Sequence, residues 1–279
     1  MKNELAVVVG TYNRLDQLKR CIESVVAQTK VPFILYVTDA GSTDGTVEYL
    51  ESVACENIVP ILVGKKLGQA KAYNDVFDMV ETAFVCWLSD DNEVIDHGLD
   101  RAVEILRRDD SIGMVALKTM DQQGPFVGTP FIGGVSPAGI LNVNQGVLPT
   151  RLLKQIGGFA EEFRDYGIDN ALTADVLFAG YKVVYTAKVA LHHYRNWNED
   201  PTSENYQWLR ERHAAAKVLY EKRYGKRAEM LPSASFRMKS RVSSLAKKFA
   251  MRVMSSDQIK RSAVVRTCFI VLSARYISL

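Results

Sequence analysis

The feature that most constrains this chain is a repeated unit: a short unbroken aliphatic run, a polar turn, then apolar residues at helical spacing. Leu5 to Val9 is continuously aliphatic, as expected of a strand covered on both faces, and the turn Thr11, Tyr12, Asn13, Arg14 follows it. Leu15, Leu18, Cys21, Ile22, Val25 and Val26 then recur at three and four residues, and Pro32 clears the way for a second strand, Phe33 to Thr38. The turn Asp39, Gly41, Ser42, Thr43, Asp44, Gly45 leads into the periodic Val47, Leu50 and Val53. Ile58 to Val63 is a third strand, and a helix around Ala70 to Met79 leads to a fourth, Phe84 to Leu88. Alternation of this kind, sustained to about residue 115, predicts an α/β fold with a mostly parallel central sheet flanked by helices. Ligands are then expected at the carboxyl ends of the strands.

The later chain reads differently. Met120 to Gly146 is rich in Gly and Pro, which predicts irregular or short antiparallel structure. Leu148 to Ile156 reads as a short helix closed by Gly157 and Gly158, Ile168 to Gly180 as a longer one, and Tyr181 to Leu191 as a strand that delivers His192 and His193. After Asn205 the pattern is helical and basic.

Charge divides along the same line. The chain is +3 overall, but residues 210–279 hold 17 Lys and Arg against Glu211, Glu221, Glu229 and Asp257, a local +13. Met238, Val242, Leu245, Phe249 and Val253 recur at helical spacing among Arg237, Lys239, Arg241, Lys247 and Lys248, so a basic amphipathic helix is expected there. Residues 205–224 are expected to pack on the main body as a lid. Beyond Pro232 the expected partner is an anionic membrane surface; no nucleic acid is expected, because aromatics for base stacking are few. No stretch approaches the ~20 apolar residues that span a bilayer, and the run before Asn13 is too short for a signal peptide. Cys21, Cys55, Cys86 and Cys268 are far apart and match neither redox nor metal spacing. The expected location is cytoplasmic, at the inner face of the plasma membrane, as a peripheral protein.

Several polar residues sit where chemistry is expected. Asp90 and Asp91 follow a buried strand, and such oxygen ligands suit Mg2+ or Mn2+ and through it a diphosphate; the plainer alternative is a solvated turn. Asp39 closes the second strand, where a carboxylate can accept from a nucleobase or ribose, or simply form an Asx-turn. Gly68, Lys71 and Asn74 open a helix, where glycine permits close approach and Lys71 can face phosphate; taken alone this is only a surface helix start. Asp169 lies at a helix start after Phe159, Phe163 and Tyr166, a half-apolar setting that suits a general base as well as an ordinary first-turn acid. His192 and His193 must point to opposite sides of their strand, and one of them is a candidate further metal ligand.

This ordered set resembles the family 2 glycosyltransferases of the GT-A fold, from residue 5 to roughly residue 195. The most specific parts are Val9 through Arg14 and Asp39 to Thr46; Gly68, Ala72 and Asn74, the Asp90–Asp91 pair, Gly157 to Phe159, and Tyr166, Gly167, Asp169 and Leu172 add to them. Ala40, Ser89 and Ile168 depart from the pattern. The resemblance implies a metal-dependent, inverting transfer of one sugar from a UDP- or dTDP-sugar to a hydroxyl of a glycan or lipid-linked acceptor, in bacterial surface polysaccharide synthesis. It implies donor binding by Thr11, Tyr12, Asn13, Arg14, Asp39, Gly68, Lys71, Asn74 and Asp90, a Mn2+ or Mg2+ cofactor on Asp91 and His192, and Asp169 as the base. The domain would span 1–204, with donor half 1–115 and acceptor half 116–204, followed by the basic extension 205–279. The alternatives are a non-catalytic nucleotide-sugar-binding relative and a nucleotidyltransferase; the latter usually needs a glycine-rich basic loop where Thr11 to Arg14 stands.

Overall fold

The computed structural model describes residues 3–123, 127–128, 130–133, 143–195 and 200–225. Its backbone follows the alternation seen in the sequence. Strands β1 (Leu5–Thr11), β2 (Phe33–Asp39), β3 (Ile58–Leu62) and β4 (Phe84–Ser89) are separated by helices α1 (Leu15–Gln28), α2 (Thr46–Val53) and α3 (Gln69–Met79). Next come β5 (Asn92–Val94), α4 (Gly98–Arg108), β6 (Ile112–Ala116), β7 (Thr119–Asp121), β8 (Pro130–Phe131) and β9 (Gly146–Pro149). The rest is α5 (Thr150–Gln155), a 3-10 turn at Glu161–Phe163, α6 (Ile168–Phe178), β10 (Lys182–Tyr185), β11 (Leu191–His193) and α7 (Glu204–Tyr224).

Two sheets result. The larger has seven strands in the order β10-β6-β9-β4-β1-β2-β3 and is parallel except for β9, which runs antiparallel to both β4 and β6. The smaller has the order β5-β11-β7-β8. Strand β1 explains why the sheet is covered on both faces. Leu5, Val7 and Val9 point into a core shared with α1, α2 and α4, while Ala6 and Val8 point into a second core shared with α3, α5, α6 and α7. Every one of the five is 0% exposed. Each large aliphatic side chain buried in this way contributes roughly 1.5–3 kcal/mol, so an all-aliphatic run fits this one place in the fold.

Two sequence expectations change. The single strand read from Tyr181 to Leu191 is two: β10 pairs with β6 in the large sheet, and β11 lies between β5 and β7 in the small one. The break falls at Thr186, whose N–H donates to Ala116 and whose Oγ1 accepts from Lys118 N at 3.0 Å, so the chain leaves one sheet there for the other. The helix read from Leu148 starts two residues later, because Gly146–Pro149 is the antiparallel β9. Gly146 is needed at that crossing, since a Cβ there would lie 2.9 Å from the Trp87 ring.

Helix α7 joins the main core through Tyr220 and Tyr224, the latter stacked on Phe178 at 5.8 Å. Arg223 closes the contact with ion pairs to Glu162 and Asp175. No helix among the described residues is long and apolar enough to cross a membrane. The basic segments beyond Pro232 lie outside the described residues.

Candidate functional site

The carboxyl ends of β1 and β4 lie side by side, with Gly10 opposite Ser89, so the turns that follow them converge. Thr11 Oγ1 donates to Asp90 Oδ2 at 3.0 Å. The Arg14 guanidinium reaches Asp90 at 3.1 Å and Asp91 at 3.4 Å. Tyr73 ties the two strand ends together from below: its hydroxyl accepts from Gly10 N at 2.9 Å and donates to the Leu88 carbonyl at 2.6 Å. Gly10 is required by that closeness, because a Cβ would sit 2.7 Å from the ring.

The two acids have opposite electrostatics. Burial pushes the Asp90 carboxyl up to about 6, even with Arg14 beside it. Burial works in the same direction on Asp91, but His193, Arg14 and Arg195 together outweigh it and hold that carboxyl below its ordinary value. Asp91 therefore keeps its charge to lower pH than Asp90 does.

The small sheet decides which histidine meets Asp91. In its register His193 stands between Asn92 and Asp121, and His192 between Glu93 and Met120. His193 Nε2 lies 3.2 Å from Asp91 Oδ1, close enough for strong attraction but off the line of a hydrogen bond. Its other ring nitrogen, Nδ1, is 3.1 Å from Asp121 Oδ1. Burial alone would lower the His193 pKa; the two flanking carboxylates win and raise it. His192 turns the other way, to Glu93 at 3.1 Å, a carboxylate that also accepts from the Tyr194 hydroxyl. Of the two histidines, His193 is therefore the one beside Asp91, and His192 the one beside Glu93.

The remaining expected residues divide into groups. Asp39 is buried and forms the Asx-turn: Oδ2 accepts from the N–H groups of Gly41 at 2.8 Å and Ser42 at 3.0 Å, and Oδ1 from the Ser42 hydroxyl. Asn13 knits the first turn to that one, its N–H donating to Ser42 Oγ and its Oδ1 accepting from Thr43 N. Tyr12 is partly exposed, with Lys66 Nζ 3.6 Å from its ring centroid. Gly68 permits the close approach of Arg164, and the first amides of α3 are taken by Arg164 O and Asp165 Oδ1. Asn74 pairs with both backbone groups of Phe159, at 2.8 and 2.9 Å, and Lys71 is ion-paired with Asp75. Lys65, Lys66, Lys71, Arg164, Leu67 and Glu161 line an open cavity of about 530 Å³ at this edge. Asp169 sits partly buried in the first turn of α6, after Gly167 at φ 88°. Tyr166, just before it, is close enough to Arg14 for the two to influence each other's ionisation.

Asp121, Arg195 and Tyr73 carry no motif in the sequence and emerge only from the fold. No group of three or more His, Cys, Asp or Glu among the described residues is arranged to hold a metal ion by itself. Asp91 and His193 nevertheless offer a hard oxygen and an imidazole nitrogen side by side, and Asp91 Oδ1 is buried without a hydrogen bond. That pair fits an ion which takes its other ligands from phosphate and water, as Mg2+ and Mn2+ commonly do.

Known proteins resemble this chain in sequence and in fold. Residues 6–132 match the family model described as glycosyl transferase family 2. An uncharacterized glycosyltransferase of Nostoc sp. is 32% identical over 136 residues, covering 44% of this chain and 42% of that protein. The teichoic acid poly(glycerol phosphate) polymerase of Staphylococcus epidermidis is 26% identical over 113 residues, 39% of this chain and 16% of that one. The chain thus spans less than half the length of these curated relatives. Among solved structures, S. aureus TarS in complex with UDP-GlcNAc superposes with a TM-score of 0.59 at 17% identity, over 96% of this chain and 79% of that one. The mannosyltransferase PcManGT from Pyrobaculum calidifontis, in complex with GDP-Man and Mn2+, gives 0.56 at 16%, over 99% and 87%. The fold is that of the GT-A glycosyltransferases.

Proposed function

From the premise that residues 6–132 form a family 2 glycosyltransferase domain, we propose that the chain moves a single sugar from a nucleotide-activated donor, UDP- or dTDP-linked, to a hydroxyl of a glycan or lipid-linked acceptor, with inversion. The observation that carries this reading is the meeting of Thr11, Arg14, Asp90, Asp91 and His193 at the carboxyl ends of β1 and β4.

In this mechanism the donor lies along the β1–β4 edge. Thr11, Tyr12 and the Asp39 turn would take the base and ribose, and Arg14 and the cationic cavity of Lys65, Lys66 and Arg164 would draw the diphosphate in. Asp91 and His193 would hold Mn2+ or Mg2+, which supplies positive charge against the diphosphate as it departs. Asp169 accepts the proton of the acceptor hydroxyl, and that oxygen attacks the anomeric carbon from the face opposite the nucleotide. The basic segment beyond Pro232 would keep the protein on the anionic inner face of the plasma membrane, where lipid-linked acceptors are presented.

Donor turnover with Mn2+, measured in wild type and in Asp169→Asn, tests the reading. Loss of transfer by 10²-fold or more with nucleotide binding retained is expected of a general base. Equal, negligible turnover in both, with nucleotide still bound, would favour a binding protein of the same fold.

A further inference from the structure

Asp121 is 0% exposed and lies on β7, directly across the small sheet from His193. A buried carboxylate is costly unless cations answer it. Here the partners are the His193 imidazole, whose Nδ1 is 3.1 Å from Oδ1, and the Arg195 guanidinium, whose Nε is 3.7 Å from the same oxygen. Both neighbours act on Asp91: His193 through direct approach, Arg195 through its charge. A small apolar residue would serve a three-residue strand such as β7 at least as well, so the carboxylate points to a task beyond folding.

We infer that Asp121 is a positioning residue, which by taking the Nδ1–H of His193 turns the Nε2 lone pair toward Asp91 and so builds the cation-holding half of the site. The inference rests on the cation site of the proposed function. Asp121 does not itself share the ion, because the two nitrogens of an imidazole face away from each other and Asp121 holds the rear one. A carboxylate behind a ligating histidine fixes ring orientation and tautomer, and its removal elsewhere costs 10- to 100-fold in metal affinity.

The test is a double-mutant cycle read by Mn2+ binding, from the loss of free-ion electron paramagnetic resonance signal with UDP present. Asp121→Asn should weaken Mn2+ binding about 10- to 100-fold, leave UDP binding without metal unchanged, and have no further effect when added to His193→Ala. Unchanged Mn2+ affinity, or an equal loss in both backgrounds, overturns the positioning role while leaving the cation site standing. Unaltered Mn2+ binding in Asp91→Asn and His193→Ala overturns the cation site, and Asp121's role with it. Should Asp121→Asn fail to fold, nitrogen-15 spectra of wild-type His193 above its titration carry the same test. A proton on Nδ1 supports the inference, and one on Nε2 overturns it.

Discussion

Asp44 caps a helix to which it does not belong. Its Oδ2 accepts from Leu15 N, at the start of α1, at 3.0 Å, and its Oδ1 takes Thr46 N and Oγ1 at the start of α2. These bonds, led by the Thr46 hydroxyl, hold the carboxyl below its ordinary range. A carboxylate lowered on folding stabilises above the unfolded pKa, and the contribution fades as pH falls through the folded value. Asp44→Ala should therefore cost about 1 kcal/mol at neutral pH and almost nothing in strong acid, by urea unfolding at the two pH values. Single residues were unevenly legible. The acid pair was visible because it follows an aliphatic run, whereas the choice between His192 and His193 depends on pairing with strands 70 and 100 residues away. Asp121 looked like any loop acid, since everything that gives it meaning lies across the sheet.

At the scale of elements, β1 and β4 are joined by one phenol. Tyr73→Phe would strand Gly10 N and the Leu88 carbonyl without their partner. That should cost about 1–3 kcal/mol, seen as a lower midpoint in chemical denaturation, and should loosen nucleotide binding at the strand ends. The early elements could be read because their signals agree: aliphatic run, turn residues, then period 3.6. Elements β9 and β11 could not, because they have four and three residues, too few for any periodicity. Their pairing is set by partners distant in sequence, β4 and β6 for one, β5 and β7 for the other.

For the molecule as a whole, charge separates from fold. The body closes at Tyr224, whose ring fills the α6 side of the core and whose hydroxyl meets Asp175 at 3.0 Å. The proposed membrane role of residues 233–279 is tested by removing them. The shortened protein should move from the membrane fraction to the soluble one; unchanged partitioning in cell fractionation would dispose of the membrane reading. The composition of this segment could be read directly, because amphipathic spacing and excess charge need no partner to be seen. The candidate site required the complete fold, since its members come from both ends of the described chain. His193, whose ring meets the Asp91 carboxylate, comes about a hundred residues after it and is brought there by β11, which lies between β5 and β7. A chain still being synthesised would thus hold its acid pair early but incomplete, and the ribosome would release a nearly whole domain before that corner could grip anything.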